Sequence, residues 1–424
     1  SVNRLNQFPN SKVLFLTPTK PLAAQIKKEF EKETNIEQVV MFTGEVTPQK
    51  RIEQIKDAKV IVSTPQTVAN DIINDRLDLK EVTLLIIDEA HRAVGEYDYV
   101  WIAKQYQKKA DFPRIIGLTA SPGSNLETIQ EICKNLDCTE IESRIDTDSD
   151  VKQYTQELNT EWIKVELPKE LQEIKKFLDN SYNQRLTLLK EFELARQVGD
   201  SKTELLKLQR QVHAKLSIGH KDFELYRLIS LLAQVIKINH AQEMLETQGP
   251  HSLYDYLHEL FSTASTTKVK AVKSLVTDLD IKSAYILAKR VIESKIDHPK
   301  VNKVKEIVQE QIKNNPKSRI IIFNSYRASA ARLEKQLNEF TKAKLFVGQA
   351  KKNGTGLSQK EQIQIIQDFS NYEFTTLISS SVGEEGLDIP KVDIVIFFEP
   401  VPSAIRAIQR RGRTARLEKG KVIV

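Results

Sequence analysis

Cysteine is nearly absent: Cys133 and Cys138 are too few for a disulfide framework, and no Cys/His spacing around them suggests zinc. No apolar run approaches the ~18 residues of a membrane span. Residues Ser1 to Asn10 are polar and lack the apolar core of a signal peptide. Charge of one sign is scarce as well. The 63 Lys and Arg against 57 Asp and Glu leave +6, a mild excess that is compatible with a nucleic-acid partner but is no argument for one by itself. A reducing cytoplasm and no membrane partner are expected. What is present is the composition of a globular protein, with 40% hydrophobic and 28% charged residues, and 424 residues suffice for two or three domains.

The chain is organised around Leu84-Leu85-Ile86-Ile87-Asp88-Glu89-Ala90-His91. Four consecutive apolar residues read as a strand buried on both faces, and the two acids then sit at its carboxyl end, where open α/β sheets place ligands. A nucleoside triphosphatase needs one acid to hold Mg²⁺ through water and a second to activate the attacking water, and Asp88 and Glu89 are candidates for that pair. The alternative is a strand that simply ends in a solvated polar tetrapeptide.

From Lys12 to about Ala120, short apolar strands alternate with amphipathic helices. Strands are expected at Val13 to Leu16, Val39 to Phe42, Val60 to Val62, Leu84 to Ile87 and Arg114 to Leu118. Helices are expected at Pro21 to Glu33 and Thr47 to Asp57, the latter with Pro48 at a favourable first position. This alternation predicts a parallel sheet wound with helices. The strands end in polar clusters, Thr17 to Lys20, Thr43-Gly44, Ser63 to Gln66 and Thr119 to Pro122. Together they make a phosphate-gripping edge of hydroxyls, backbone N–H groups and one Lys.

Strand signals vanish between about Lys164 and Lys295, and 3.6-residue stripes replace them. One stripe is Leu205, Leu208, Val212 and Leu216. A second is Phe223, Tyr226, Leu228, Ile229, Leu232 and Val235. Their charged outer faces read equally as solvated surface or binding surface. From Lys300 the βα alternation returns, with strands at Arg319 to Phe323, Lys344 to Val347, Phe374 to Ser379, Ile394 to Phe398 and Lys421 to Val424. Helices there cover Arg327 to Phe340 and Ser358 to Phe369. The fold class is therefore α/β, two parallel-sheet domains with an all-helical insert between them, at 1–163, 164–297 and 298–424.

A second chemical cluster is Gln409 to Arg416, in which Gln409, Arg413 and Arg416 share one helical face. Such a row of cations reads as arginine fingers aimed at a γ-phosphate, or as a basic nucleic-acid patch. Just before it, Gly383 and Gly386 allow close backbone approach, and Asp388 is placed to orient an Arg or a ribose hydroxyl.

In this order, Asp-Glu-Ala-His, Thr-Ala-Ser and Gln-x-x-Gly-Arg-x-x-Arg resemble motifs II, III and VI of superfamily-two helicases. More narrowly, the chain is similar to the helicase part of the archaeal Hef group, related to FANCM and the XPF-type nucleases. The runs Ser63 to Thr67, Asp88 to Gly95, Gly117 to Gly123, Leu245 to Gly249, Phe346 to Ala350 and Glu399 to Ser403 carry that likeness almost end to end. The resemblance implies RecA-like sheet domains and an ATP-dependent DNA helicase or translocase acting on branched DNA in repair and stalled-fork processing. It also implies ATP and Mg²⁺ as cofactors, with single- or double-stranded DNA as partner. The cytoplasm, or the nucleoid of an archaeal cell, is its expected place.

By the same resemblance Asp88 holds Mg²⁺ through water, Glu89 activates water, and His91 couples the nucleotide site to Thr119 and Ser121. Gln409, Arg413 and Arg416 complete the ATP site beside Gly386 and Asp388. Pro18, Thr19, Lys20, Gly44, Thr64, Asn324, Ser325, Arg327 and Gln349 match nucleic-acid contacts. One motif is missing: no Gly-x-x-x-x-Gly-Lys-Ser/Thr run occurs. The expectation is a fragment opening just before motif Ia, with weak ATP binding, an exposed edge on its first sheet, and in some relatives a nuclease domain after the helicase part. Two further readings stand beside it, a double-stranded-RNA-dependent ATPase of the Dicer or RNA-sensor type and a non-catalytic nucleic-acid-binding scaffold.

Overall fold

The structure, a computed structural model, describes residues 1–123, 125–145, 148–151, 159–217, 222–348, 356–380, 389–399 and 421–424. It contains two compact units, one made of 1–161, 317–323 and 344–424, the other of 162–316 and 324–343.

The first unit holds two sheets. Strands β1 (Lys12–Leu16), β2 (Val39–Phe42), β3 (Val60–Ser63), β4 (Val82–Ile87) and β5 (Ile115–Gly117) form a parallel sheet in the order β2-β3-β1-β4-β5. Alternate residues of each strand enter different cores. Leu14, Leu16, Ile61, Leu85 and Ile87 pack on one face, Val13, Phe15, Val62, Leu84 and Ile86 on the other. Burial on both faces is why these strands read as continuous apolar runs. On β5 and just beyond it, Ile116 and Leu118 are 40% and 44% exposed. Between β2 and β4, Arg51 and Arg76 both engage Asp71, with Arg51 Nε 2.7 Å from Oδ2 and both partners buried.

The second sheet contains β6 (Asn159–Glu161), β7 (Ile320–Phe323), β8 (Ala343–Phe346), β9 (Thr376–Ser379), β10 (Ile394–Phe397) and β11 (Lys421–Ile423) in the order β6-β11-β10-β7-β9-β8. Strand β6 carries no apolar run, and parallel pairing with β11 alone makes it a strand. A boundary at residue 163 therefore assigns to the first sheet domain a strand that belongs to the second. Helix Gln359–Ser370 covers this sheet and opens on a reciprocal capping box between Ser358 and Glu361.

The other unit is all helical. Leu171, Leu178, Ile238, Leu245, Leu257 and Ala284 centre one core, and Leu189, Leu205, Leu208, Val212, Leu232 and Val235 another. The second expected stripe is buried only from Leu228 onward. Phe223 and Tyr226 are 79% and 50% exposed, because the helix starts at Phe223 and its first turn precedes its packing partners. Helices Pro299–Asn314 and Arg327–Leu337 pack with this unit although a boundary at 298 places them elsewhere. Tyr326 rests on the bundle core with its hydroxyl 3.4 Å from Glu243 Oε1, and Gln336 donates to Asp297 at 2.9 Å. Among the described residues no helix is long and apolar enough to cross a membrane.

Candidate functional site

Parallel pairing brings the chemistry together at one edge of the first sheet. The register Leu16↔Ile87 makes Thr17 and Asp88 the next residues on neighbouring strands. The Asp88 N–H donates to Leu16 O at 2.9 Å, the Thr17 N–H to Ser63 O at 3.1 Å, and the Ala90 N–H to Leu118 O at 2.8 Å. The ends of β3, β1, β4 and β5 are thus stitched side by side.

Glu89 is held at φ 50°, the left-handed region that a non-glycine residue enters at a cost of ~1–3 kcal/mol. This kink turns the chain from β4 into the short helical turn Ala90–Arg92. Gly117 on β5 makes room for it, since a Cβ there would meet Ala90 Cβ at 3.0 Å. Burial, then the Glu89 charge, holds the Asp88 carboxyl above the usual carboxylate range, against weaker help from Thr17 and His91.

His91 Nδ1 lies 3.2 Å from Glu89 Oε2 and 3.1 Å from Thr119 Oγ1. Thr119 Oγ1 donates to Ser121 O at 3.0 Å and accepts from the Ser121 N–H at 3.2 Å. Ser121 Oγ in turn accepts from the Gly123 N–H at 3.3 Å. Glu89, His91, Thr119 and Ser121 are therefore one connected chain of polar groups.

Thr17 Oγ1 and Thr19 Oγ1 are buried without a hydrogen-bond partner, and Glu89 Oε2 has only its off-axis approach to His91. Thr17 stands beside the Asp88 carboxyl, close enough to favour its charged form yet short of an aligned hydrogen bond. An orphaned buried hydroxyl at Thr17 beside the Asp88 carboxylate fits a hydrated divalent cation with phosphate oxygens. Among the described residues no group of three His, Cys, Asp or Glu forms a protein cage for a metal. That donor set suits an ion held through water and phosphate. Thr17 is expected from the sequence only as part of the polar cluster Thr17 to Lys20; its place beside Asp88 follows from β1 lying against β4.

The remaining expected residues are placed as follows. Thr19 caps helix Lys20–Glu33 with its backbone, Pro18 lies half-buried beside it, and Lys20 Nζ is 2.9 Å from Glu45 Oε1. Gly44 faces open space, so no packing demands its lack of a side chain. The buried Thr64 hydroxyl meets Thr67 Oγ1 at 3.0 Å. In the helical unit, Ser325 is exposed and Arg327 half-buried at the start of helix Arg327–Leu337. The Asn324 side chain is fully buried, donates to Ser329 Oγ at 3.0 Å and accepts from the Tyr326 N–H at 3.0 Å, so it shapes the loop. Gln349, Gly386, Asp388, Gln409, Arg413 and Arg416 lie outside the described residues.

Residues 1–129 match the DEAD/DEAH box helicase family, residues 299–418 the helicase conserved C-terminal domain, and residues 170–298 a helical bundle described from a putative ATP-dependent RNA helicase. The crystal structure of the Pyrococcus furiosus Hef helicase domain is 41% identical, with a TM-score of 0.69 over 98% of this chain and 86% of that one. A putative ATP-dependent RNA helicase of Methanocaldococcus jannaschii is 39% identical over 98% of this chain and 52% of its own length. The mouse Fanconi anemia group M protein homolog is 31% identical over 98% of this chain and 22% of its own, and the Neurospora crassa ATP-dependent DNA helicase mph1 is 29% identical over 100% and 38%. The chain spans about half or less of the length of these curated relatives.

Proposed function

This chain belongs to the Hef and FANCM type of superfamily-two DEAD/DEAH-box helicases, and we propose that it carries the motor of an ATP-dependent DNA helicase or translocase working on forks and junctions in DNA repair. The single observation that carries the reading is the chain of contacts from Glu89 through His91 to Thr119 and Ser121. It gives a nucleotide-sensing carboxylate a physical route to the loop after β5.

In this reading Asp88 and the Thr17 hydroxyl hold the water shell of Mg²⁺, and Glu89 takes the proton of the attacking water. Mg²⁺ supplies charge neutralisation on the phosphates when bound. Gln409, Arg413 and Arg416 are assigned to the γ-phosphate, and Gly386 and Asp388 to the same ATP site. Pro18, Thr19, Lys20, Gly44, Thr64, Asn324, Ser325, Arg327 and Gln349 are assigned to nucleic-acid contacts. Relatives named as DNA helicases support the choice of DNA. The Methanocaldococcus relative's name and the helical-bundle description support a second reading, an RNA-dependent ATPase.

The test is ATP hydrolysis with synthetic fork DNA or duplex RNA as stimulant, for the native chain and Glu89→Gln. The expected result is fork-stimulated turnover that the substitution abolishes while fork binding persists. Turnover unchanged in Glu89→Gln overturns the assignment, and stimulation by RNA alone selects the second reading.

A further inference from the structure

Outside the nucleotide site, the clearest unexplained chemistry is at the end of helix Leu126–Leu136. Asp137 turns left-handed there at φ 52°, the Cys138 N–H donates to Cys133 O at 2.9 Å and the Asp137 N–H to Lys134 O at 3.4 Å. Those two bonds define a Schellman closure, in which the side chains three residues inside and two residues beyond the helix end meet. In most proteins that contact is apolar. Here both positions are free cysteines, Cys133 half-buried and Cys138 exposed. The Cys138 N–H to Cys133 O bond draws the chain back on itself, so the two cysteines stand on adjacent backbone at the helix end, where a disulfide would close a short loop.

We infer that Cys133 and Cys138 form a dithiol that closes reversibly to an intramolecular disulfide when a small disulfide oxidant is present. The exposed Cys138 thiolate attacks one sulfur of the oxidant and releases its partner as a thiol. The Cys133 thiolate then attacks Cys138 Sγ and releases the second thiol. Two protons leave the chain, two electrons pass to the oxidant, and one S–S bond forms. Burial, then the neighbouring Cys133, pushes the Cys138 thiol up, so closure accelerates as pH rises.

The helix end is also a brace. Glu131 Oε1 accepts from the Gly95 N–H at 2.9 Å, Asn135 Nδ2 donates to Ala93 O at 3.0 Å, and Leu136 lies 3.2 Å from where a Gly117 Cβ would stand. Closing the dithiol pins the last turn that holds the segment following Asp88 to His91. The inference does not rest on the proposed nucleotide chemistry, because its readouts are thiol content and local protection.

The experiment treats the chain with oxidised glutathione and follows mass, titratable thiols and amide exchange. The expected product is a monomer lighter by about 2 Da with no titratable thiol, restored by dithiothreitol. Its Cys138 and Gly95 amides should exchange about tenfold more slowly than in the reduced chain. The Cys133→Ser chain should instead stop at a glutathione adduct on Cys138. Two thiols still titratable, a lasting glutathione adduct on the native chain, or a disulfide between two copies would each overturn the inference.

Discussion

Lowering the pH should loosen the helical unit through a single imidazole. His298 is 1% exposed and caps helix Pro299–Asn314, its Nδ1 accepting from the Lys300 N–H at 3.2 Å and its Nε2 lying 3.0 Å from Glu246 O. Both nitrogens are thus engaged by the neutral ring, with the proton on Nε2. Burial, then the Lys300 charge, lowers its pKa from 6.5 to about 4, against the opposing pull of Glu246 O and Asp297. The native state therefore binds fewer protons than the unfolded chain between those values. Its stability is intact above 6.5 and is lost as pH falls through about 4. The full shift corresponds to about 3 kcal/mol, of which about 2 kcal/mol disappears between pH 7 and pH 5. The perturbation is His298→Asn, which keeps a capping acceptor and removes the titration. Urea unfolding followed by helical circular dichroism, at pH 7 and pH 5, gives the stability difference between the two chains. That difference should shrink by about 2 kcal/mol at the lower pH. A difference that does not change with pH, or a His298 ring titrating near 6.5 by NMR, refutes the reasoning.

Other outcomes follow from the same structure. Asp71→Ala leaves the buried Arg51 unpaired and should cost about 3–5 kcal/mol in denaturant unfolding, whereas a loss under 1 kcal/mol would show the pair to be dispensable. Gly249→Ala forces a residue at φ 94° and ψ −175° and sets its Cβ 2.8 Å from His298 Cβ, so it should cost at least about 1–3 kcal/mol from the backbone alone. Asp88→Asn removes a carboxylate whose charge burial disfavours, and should raise the melting temperature at pH 7 while abolishing ATP turnover; a lower melting temperature would contradict that. Thr119→Val cuts the contact from His91 and should lower fork unwinding about tenfold more than ATP turnover, and equal losses would argue against coupling through this hydroxyl.

The order of strands and helices was legible in the sequence because each apolar run carries its own period. Val13 to Leu16 and Leu84 to Ile87 are buried on both faces, so their burial needs no knowledge of partners. The position of Asp88 and Glu89 at a strand's carboxyl end was equally local. Tertiary structure alone decided which strands are neighbours, and with that the meeting of Thr17 with Asp88 and of His91 with Thr119. It also made a strand of Asn159–Glu161, which has no apolar pattern and exists only through its bonds to β11. Asn324 and Phe223 show the same division in opposite directions. The polar residue is buried because its loop satisfies it, and the aromatic one is exposed at the start of its helix. Periodicity is a property of adjacent residues; pairing, desolvation and left-handed turns depend on groups that only the folded chain brings together.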